Sequence, residues 1–168
     1  KTRKESEEVL YPGEDVVIVD GSDLSELKSL AMLNKRHRIR LCAHRSPEDK
    51  LHEMFIVHAK DCYVRPHRHL GRAESMAILE GEADVVLFND DGTIKKVIKI
   101  GEMSSGKKFY YRLSDPVYHT LLIRTDFLVF HESTEGPFSR ESSEFPEWAP
   151  AENDTGVTDF LAHIESQI

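Results

Sequence analysis

The sequence predicts a mainly β fold, a closed antiparallel barrel or jelly roll, with one helix ahead of it and one behind. Three observations carry this. Between residues 37 and 135, runs of alternating apolar residues follow one another at strand length, separated by turn signals. Asn89-Asp90-Asp91-Gly92 is the strongest of those signals and reads as a hairpin. Apolar residues at helical spacing flank the block: Leu24, Leu27, Leu30, Ala31 and Leu33 before it, Val157, Phe160, Leu161 and Ile164 after it. A chain of 168 residues is the size of one domain and can bury a core without disulfides. We read a single domain over 1–168, with an N-terminal strand and helix over about 1–36, the barrel over 37–135, and an irregular segment with a terminal helix over 136–168.

Taken in order, residues 1–8 are polar and read as a loose end. Residues 15–20, with Val16, Val17, Ile18 and Val19, read as a short strand. Ser22 or Asp23 then caps a helix, with Glu26 placed for a capping box. Residues 38–44 alternate strictly: Ile39, Leu41 and Ala43 on one face, Arg38, Arg40, Cys42 and His44 on the other. The polar face either meets water or lines a lumen. Residues 52–59 make the next strand, and 63–69 the one after it. Residues 74–89 are two strand lengths broken at Gly81, and 93–100 return from the hairpin. Lys95, Lys96 and Lys99 read as solvated edge protection. Strands at 109–113, 117–124 and 127–132 complete the barrel. In 136–150 the apolar points are Phe138, Phe145 and Trp148, which either close the barrel mouth, meet a second copy or lie on the wall.

The chemistry concentrates in Pro66-His67-Arg68-His69-Leu70-Gly71-Arg72-Ala73-Glu74, followed by Gly81. On a strand, His67 and His69 point to one face, and Glu74 can return to it after the turn at Gly71. His119 sits in another strand-like run, on the face of Val117, Leu121 and Ile123. Three imidazoles and a carboxylate suit a divalent ion such as Fe, Zn, Ni, Cu or Mn rather than Ca or Mg. Tyr63 and Arg65 share the parity of the two histidines. An inward Arg65 suits an anionic ligand, and an ion pair with Glu74 or an acid at the rim is the alternative.

The spacing His-x-His, four residues, Glu, six residues, Gly resembles the first cupin motif. Pro116-Val117-Tyr118-His119 resembles a degenerate second one, without its usual Gly and with Ile123 where Asn is usual. Closer still is the resemblance to the WbuC family of cupin metalloproteins. It rests on Arg38-x-Arg40-x-x-x-His44, residues 63–69, residues 87–92, Gly136-Pro137-Phe138 and Trp148-Ala149-Pro150, and covers about residues 30–150. The resemblance implies a cupin-like double-stranded β-helix holding one metal ion (Fe, Zn, Ni or Mn) through His67, His69, Glu74 and His119. It favours the lumen for Arg38, Arg40 and His44, which join Tyr63 and Arg65 as substrate-binding candidates. It also implies a homodimer and a link to bacterial surface-polysaccharide (O-antigen) biosynthesis, on a sugar or sugar nucleotide, by Lewis-acid chemistry. A non-catalytic carbohydrate-binding module and an Fe(II) dioxygenase are the alternatives.

Composition narrows the classes. A net charge of -8 argues against nucleic acid and anionic membranes, which need clustered Lys and Arg. No apolar run approaches the ~20 residues of a membrane span. Two cysteines, Cys42 and Cys62, suit free thiols in a reducing cytoplasm, and the first residues show no signal-peptide pattern. No nucleophile elbow or phosphate-binding glycine loop is present, so no catalytic residue is assigned.

Overall fold

The computed structural model describes residues 2–168. In chain order its elements are β1 (Thr2–Lys4), β2 (Val9–Pro12), α1 (Gly21–Ala31), β3 (Arg38–Cys42), β4 (Leu51–Ala59), β5 (Arg68–His69), β6 (Glu74–Glu80), β7 (Glu82–Phe88), β8 (Ile94–Gly101), β9 (Tyr110–Leu113), β10 (Tyr118–Ile123), β11 (Phe127–Glu135), β12 (Ser143–Glu144) and α2 (Val157–Glu165). Seven strands form one sheet in the order β1-β2-β3-β4-β11-β6-β9, three form a second in the order β10-β7-β8, and β12 pairs with β5. The mainly β prediction holds, helices at both ends included.

The core lies between the two main sheets. Met54 and Ile56 of β4, Met76 and Ile78 of β6 and Leu128 and Phe130 of β11 meet Val85 and Leu87 of β7 and Leu121 and Ile123 of β10. Each pair is two residues apart, as strand parity requires. The opposite face of the larger sheet carries α1, whose Leu27 and Ala31 pack on Ile39, Leu41, Val57 and Val129. Behind the smaller sheet, α2 sets Ile164 among Val86, Phe88, Tyr118 and Leu122. The Val85–Phe88 half of β7 is therefore apolar on both faces, which is why it reads as a continuous apolar run. The Asn89–Gly92 hairpin forms as predicted, with the Gly92 amide 3.0 Å from the Asn89 carbonyl.

The N-terminal segment departs from prediction. Residues 15–20 form no strand; Val16 and Ile18 are largely exposed, while Val19 packs beneath α1. Most of the segment read as a loose end is ordered instead. β1 pairs antiparallel with β2, and β2 adds in parallel to β3, burying Leu10 and Tyr11. The helix cap also moves: Asp20 accepts from the Ser22 amide at 2.7 Å, and Asp23 closes the box by accepting from the Asp20 amide at 2.8 Å. At the far end, α2 has Gly156 at its N-cap and so no side-chain cap. Cys42 and Cys62 are free and buried, and burial pushes their thiols up to about 11 and about 12, so neither is a nucleophile near neutral pH. Among the described residues, no helix is long and apolar enough to cross a membrane.

Candidate metal centre

Pro66 shapes the first part of the site. It has no N–H for a ladder, and the strand predicted over residues 63–69 is reduced to β5 and one bridge. That bridge joins His67 to His119 antiparallel, with amide-to-carbonyl distances of 3.1 and 2.9 Å. β10 thus hands His119 directly to the histidine pair. His67, His69 and His119 bring one ligand nitrogen each within 4.8 Å of one another. Glu74, at the start of β6, completes the cluster. Its Oε1 lies 2.7 Å from His119 Nε2 and its Oε2 3.0 Å from His69 Nε2.

Two of the three imidazoles are oriented by backbone acceptors. His67 Nδ1 lies 2.8 Å from the Arg65 carbonyl and His119 Nδ1 2.9 Å from the Val117 carbonyl. A carbonyl only accepts, so each Nδ1 carries the proton and each Nε2 is left as a donor atom for an ion. Burial holds His67 down to about 3, so it is neutral and ready to ligate. Burial also opposes charge on His119, but the Glu74 carboxylate outweighs it and the net shift is upward. Glu74 is pushed up by burial, yet His119 and His69 hold its carboxyl well below the usual range. Two imidazoles oriented by carbonyls, the His69 ring beside them and one ionised carboxylate suit a divalent transition metal.

These four residues line a cavity of about 260 Å³ between the sheets. Of the predicted ligand-contacting residues, Arg38, Arg40 and Arg65 line it too. Arg38 is held by Glu8 at 3.0 Å and Glu152 at 3.4 Å. Arg65 makes neither predicted contact with Glu74 nor a free approach to the ion. Its Nε donates to the Ala149 carbonyl and its guanidinium lies 5.0 Å over Phe145. Two predictions fail here. His44 falls outside the cavity, because β3 ends at Cys42; its ring stacks on His52 at 4.0 Å and its Nδ1 meets the Glu53 carbonyl. Tyr63 is also outside it, its hydroxyl donating to the Pro150 carbonyl at 3.0 Å. Phe138 and Phe145 line the cavity, while Trp148 packs on Phe88 and Tyr118.

The structure adds residues that the sequence reading passed over. Arg72 donates through Nη2 to His69 Nδ1 and Ser143 Oγ. His58 lines the cavity with a buried Nδ1 that has no partner among the described residues. Glu132 points inward from β11 between Phe130 and Thr134, and that parity was readable in the sequence. Burial, with the Glu74 charge second, raises the Glu132 carboxyl to about 7. An unfolded chain ionises this residue near 4.5. Between those values the folded state holds the extra proton, so stability falls as pH rises through the window. In metal-free protein, Glu132→Gln should stabilise by ~1–3 kcal/mol at pH 8 and by almost nothing at pH 4. Chemical denaturation at both pH values measures this; a pH-independent difference contradicts it.

Comparison with known proteins agrees with this architecture. The model of a domain of unknown function, DUF6016, matches residues 19–100. No curated protein matches. Among solved structures, protein SO0799 from Shewanella oneidensis superposes with a TM-score of 0.54 at 9% identity, over 67% of this chain and 75% of that one. CapF from Staphylococcus aureus, a capsular polysaccharide assembling protein, gives 0.52 at 11% identity over 68% of this chain and 33% of its own. CapF with the inhibitor 3-isopropenyl-tropolone gives 0.50 at 10% identity, over 66% and 31%. The chain thus spans about a third of CapF. At these identities the likeness is one of fold, and the fold is cupin-like.

Proposed function

We propose that this protein is a cupin-like metalloprotein that binds one divalent transition-metal ion through His67, His69, Glu74 and His119 and presents it to a small ligand in the adjoining cavity. The observation that carries the reading is the meeting of three imidazole nitrogens within 4.8 Å, with Glu74 against two of the rings. An Fe, Zn, Ni or Mn ion bound there supplies Lewis-acid chemistry. The chain's own residues do the rest. The Arg65 and Val117 carbonyls fix the His67 and His119 imidazoles, Phe145 shields the His67 side, and Glu132 can take or give a proton at its carboxyl oxygen.

The ligand we propose is a sugar or sugar nucleotide of bacterial surface-polysaccharide synthesis, in the cytoplasm. The resemblance to the WbuC family supports this, as does the likeness of fold to CapF, whose own role is in capsular polysaccharide assembly. We take the chain to be a single domain acting as a homodimer, which light scattering tests. Incubation of metal-loaded protein with candidate sugars and sugar nucleotides tests the activity. Product formation supports an enzyme. A rise in melting temperature without product supports a carbohydrate-binding module instead. Oxygen uptake by the Fe(II)-loaded protein would overturn both in favour of a dioxygenase.

A further inference from the structure

The cavity holds more positive charge than its own acids match. Arg36 and Arg38 are balanced by Glu8 and Glu152. Glu74 is committed to His69 and His119. Arg40, Arg65 and Arg72 also line the cavity, and among the described residues none of the three has an ion-pair partner. Among the described residues, the side-chain hydrogen bond of Arg40 is to the Met54 sulfur, at 4.0 Å. Arg72 reaches His69 and Ser143 through one nitrogen, and its buried Nε has no partner among the described residues. Against these three guanidiniums, and among the described residues, the cavity sets one carboxylate without an ion-pair partner, Glu132.

The register puts these groups together. Cys42 of β3 and Glu132 of β11 both lie opposite Met54 of β4, so Arg40 stands two strands from Glu132. Two strand spacings and the two-residue offset between Cys42 and Arg40 make that about 12 Å between Cα atoms, a gap the arginine and glutamate side chains can span together. Arg72 precedes β6, which flanks β11 on its other side. The charges of both arginines act on Glu132. Met54, Ile56 and Phe130 wall part of the cavity, and against such an apolar wall charge is screened less than in bulk water. The missing counter-charge is therefore supplied by what enters.

Size limits the entrant. Pockets for drug-sized ligands hold about 300–1,000 Å³, and this one holds about 260 Å³. A sugar nucleotide would extend past Phe138 and Phe145, whereas a molecule of monosaccharide size fits inside. We infer that the ligand is a small hydroxycarboxylic acid, of the size of a uronic or aldonic acid, whose carboxylate is held by Arg40 and Arg72 and whose hydroxyl meets Glu132. A carboxylate carries the planar pair of acceptors that a guanidinium fork matches. A phosphate dianion would crowd Glu132 with more negative charge.

This inference names the substrate class of the proposed site, and its test separates the two readings. D-glucuronate, D-galacturonate, D-gluconate and D-glycerate are each titrated against their neutral counterparts: D-glucose, D-galactose, sorbitol and glycerol. Calorimetry is run on metal-loaded and on chelator-treated protein, with metal content measured separately. At least one acid is expected to bind at least tenfold more tightly than its neutral counterpart in both forms. Arg40→Gln is expected to reduce that preference at least tenfold with metal content unchanged, and Arg40→Lys to restore part of it. Should Arg40→Gln fail to fold, Arg40→Lys alone must still weaken the preference. If no acid outbinds its neutral partner, or if glucose 6-phosphate outbinds every acid, the inference falls. Loss of metal binding alone would instead sink the proposed metal centre and leave the guanidinium clamp standing.

Discussion

His67→Ala is expected to fold normally and to lose its metal, with affinity lower by at least ~100-fold. A change that merely misorients a ligating imidazole costs about 10–100-fold, and removing the ligand costs more. The backbone should survive because the His67–His119 bridge is made by main-chain groups, which alanine keeps. His119→Ala should behave alike, and there Glu74 also loses its 2.7 Å partner. His44→Ala is the internal control. Its ring lies against His52 and away from the cavity, so metal content should be unchanged. Elemental analysis after dialysis reads all three. Full occupancy in the His67 and His119 variants would show that the four residues are not the ligand set.

The second large effect falls on Gly81, where the chain leaves one sheet for the other between β6 and β7. Gly81 has φ +84, a conformation that side chains resist, and an added Cβ would overlap the Phe127 carbonyl and lie 2.5 Å from Thr125 Oγ1. Neither neighbour can yield cheaply. Phe127 opens β11, which is hydrogen-bonded on both sides, and Thr125 Oγ1 is engaged with the Glu82 amide and the Phe127 carbonyl. Gly81→Ala should therefore cost ~3 kcal/mol or more, a fall of ~6–12 °C in melting temperature. Gly71 is the comparison: its φ is +70 but nothing lies within 4 Å of an added Cβ. Gly71→Ala should cost only about 1 kcal/mol. Equal losses at the two positions would contradict the steric account.

The motif was legible because it is local. His67 and His69 share parity, Glu74 follows one turn later, and Gly81 marks the corner, so seven-residue β6 carries the carboxylate from a fixed start. The inner face of β10 was legible for the same reason, with His119 among Val117, Leu121 and Ile123. What the sequence hid depends on distant partners. The β-branched residues 16–19 have strand propensity but gain no neighbouring strand, while Val9–Pro12 gains β3. Ser143 and Glu144 carry no strand signal, yet they pair with His69 and Arg68 across the site. Tyr63 has inward parity, but Pro66 ends the regular ladder and the ring turns to Pro150. Arg72 drew no notice because a loop residue has no parity to read. Its role follows only from where Ser143 and His69 stand.

The most direct test of the central claim is elemental analysis of the wild-type protein, purified without a histidine tag or added metal. The account predicts about one equivalent of a divalent transition metal per chain, taken up again after chelation and dialysis against the same ion. A protein that holds none, and takes up none from Fe(II), Zn, Ni or Mn on reloading, would contradict it and leave His67, His69, Glu74 and His119 as a hydrogen-bonded cluster without an ion.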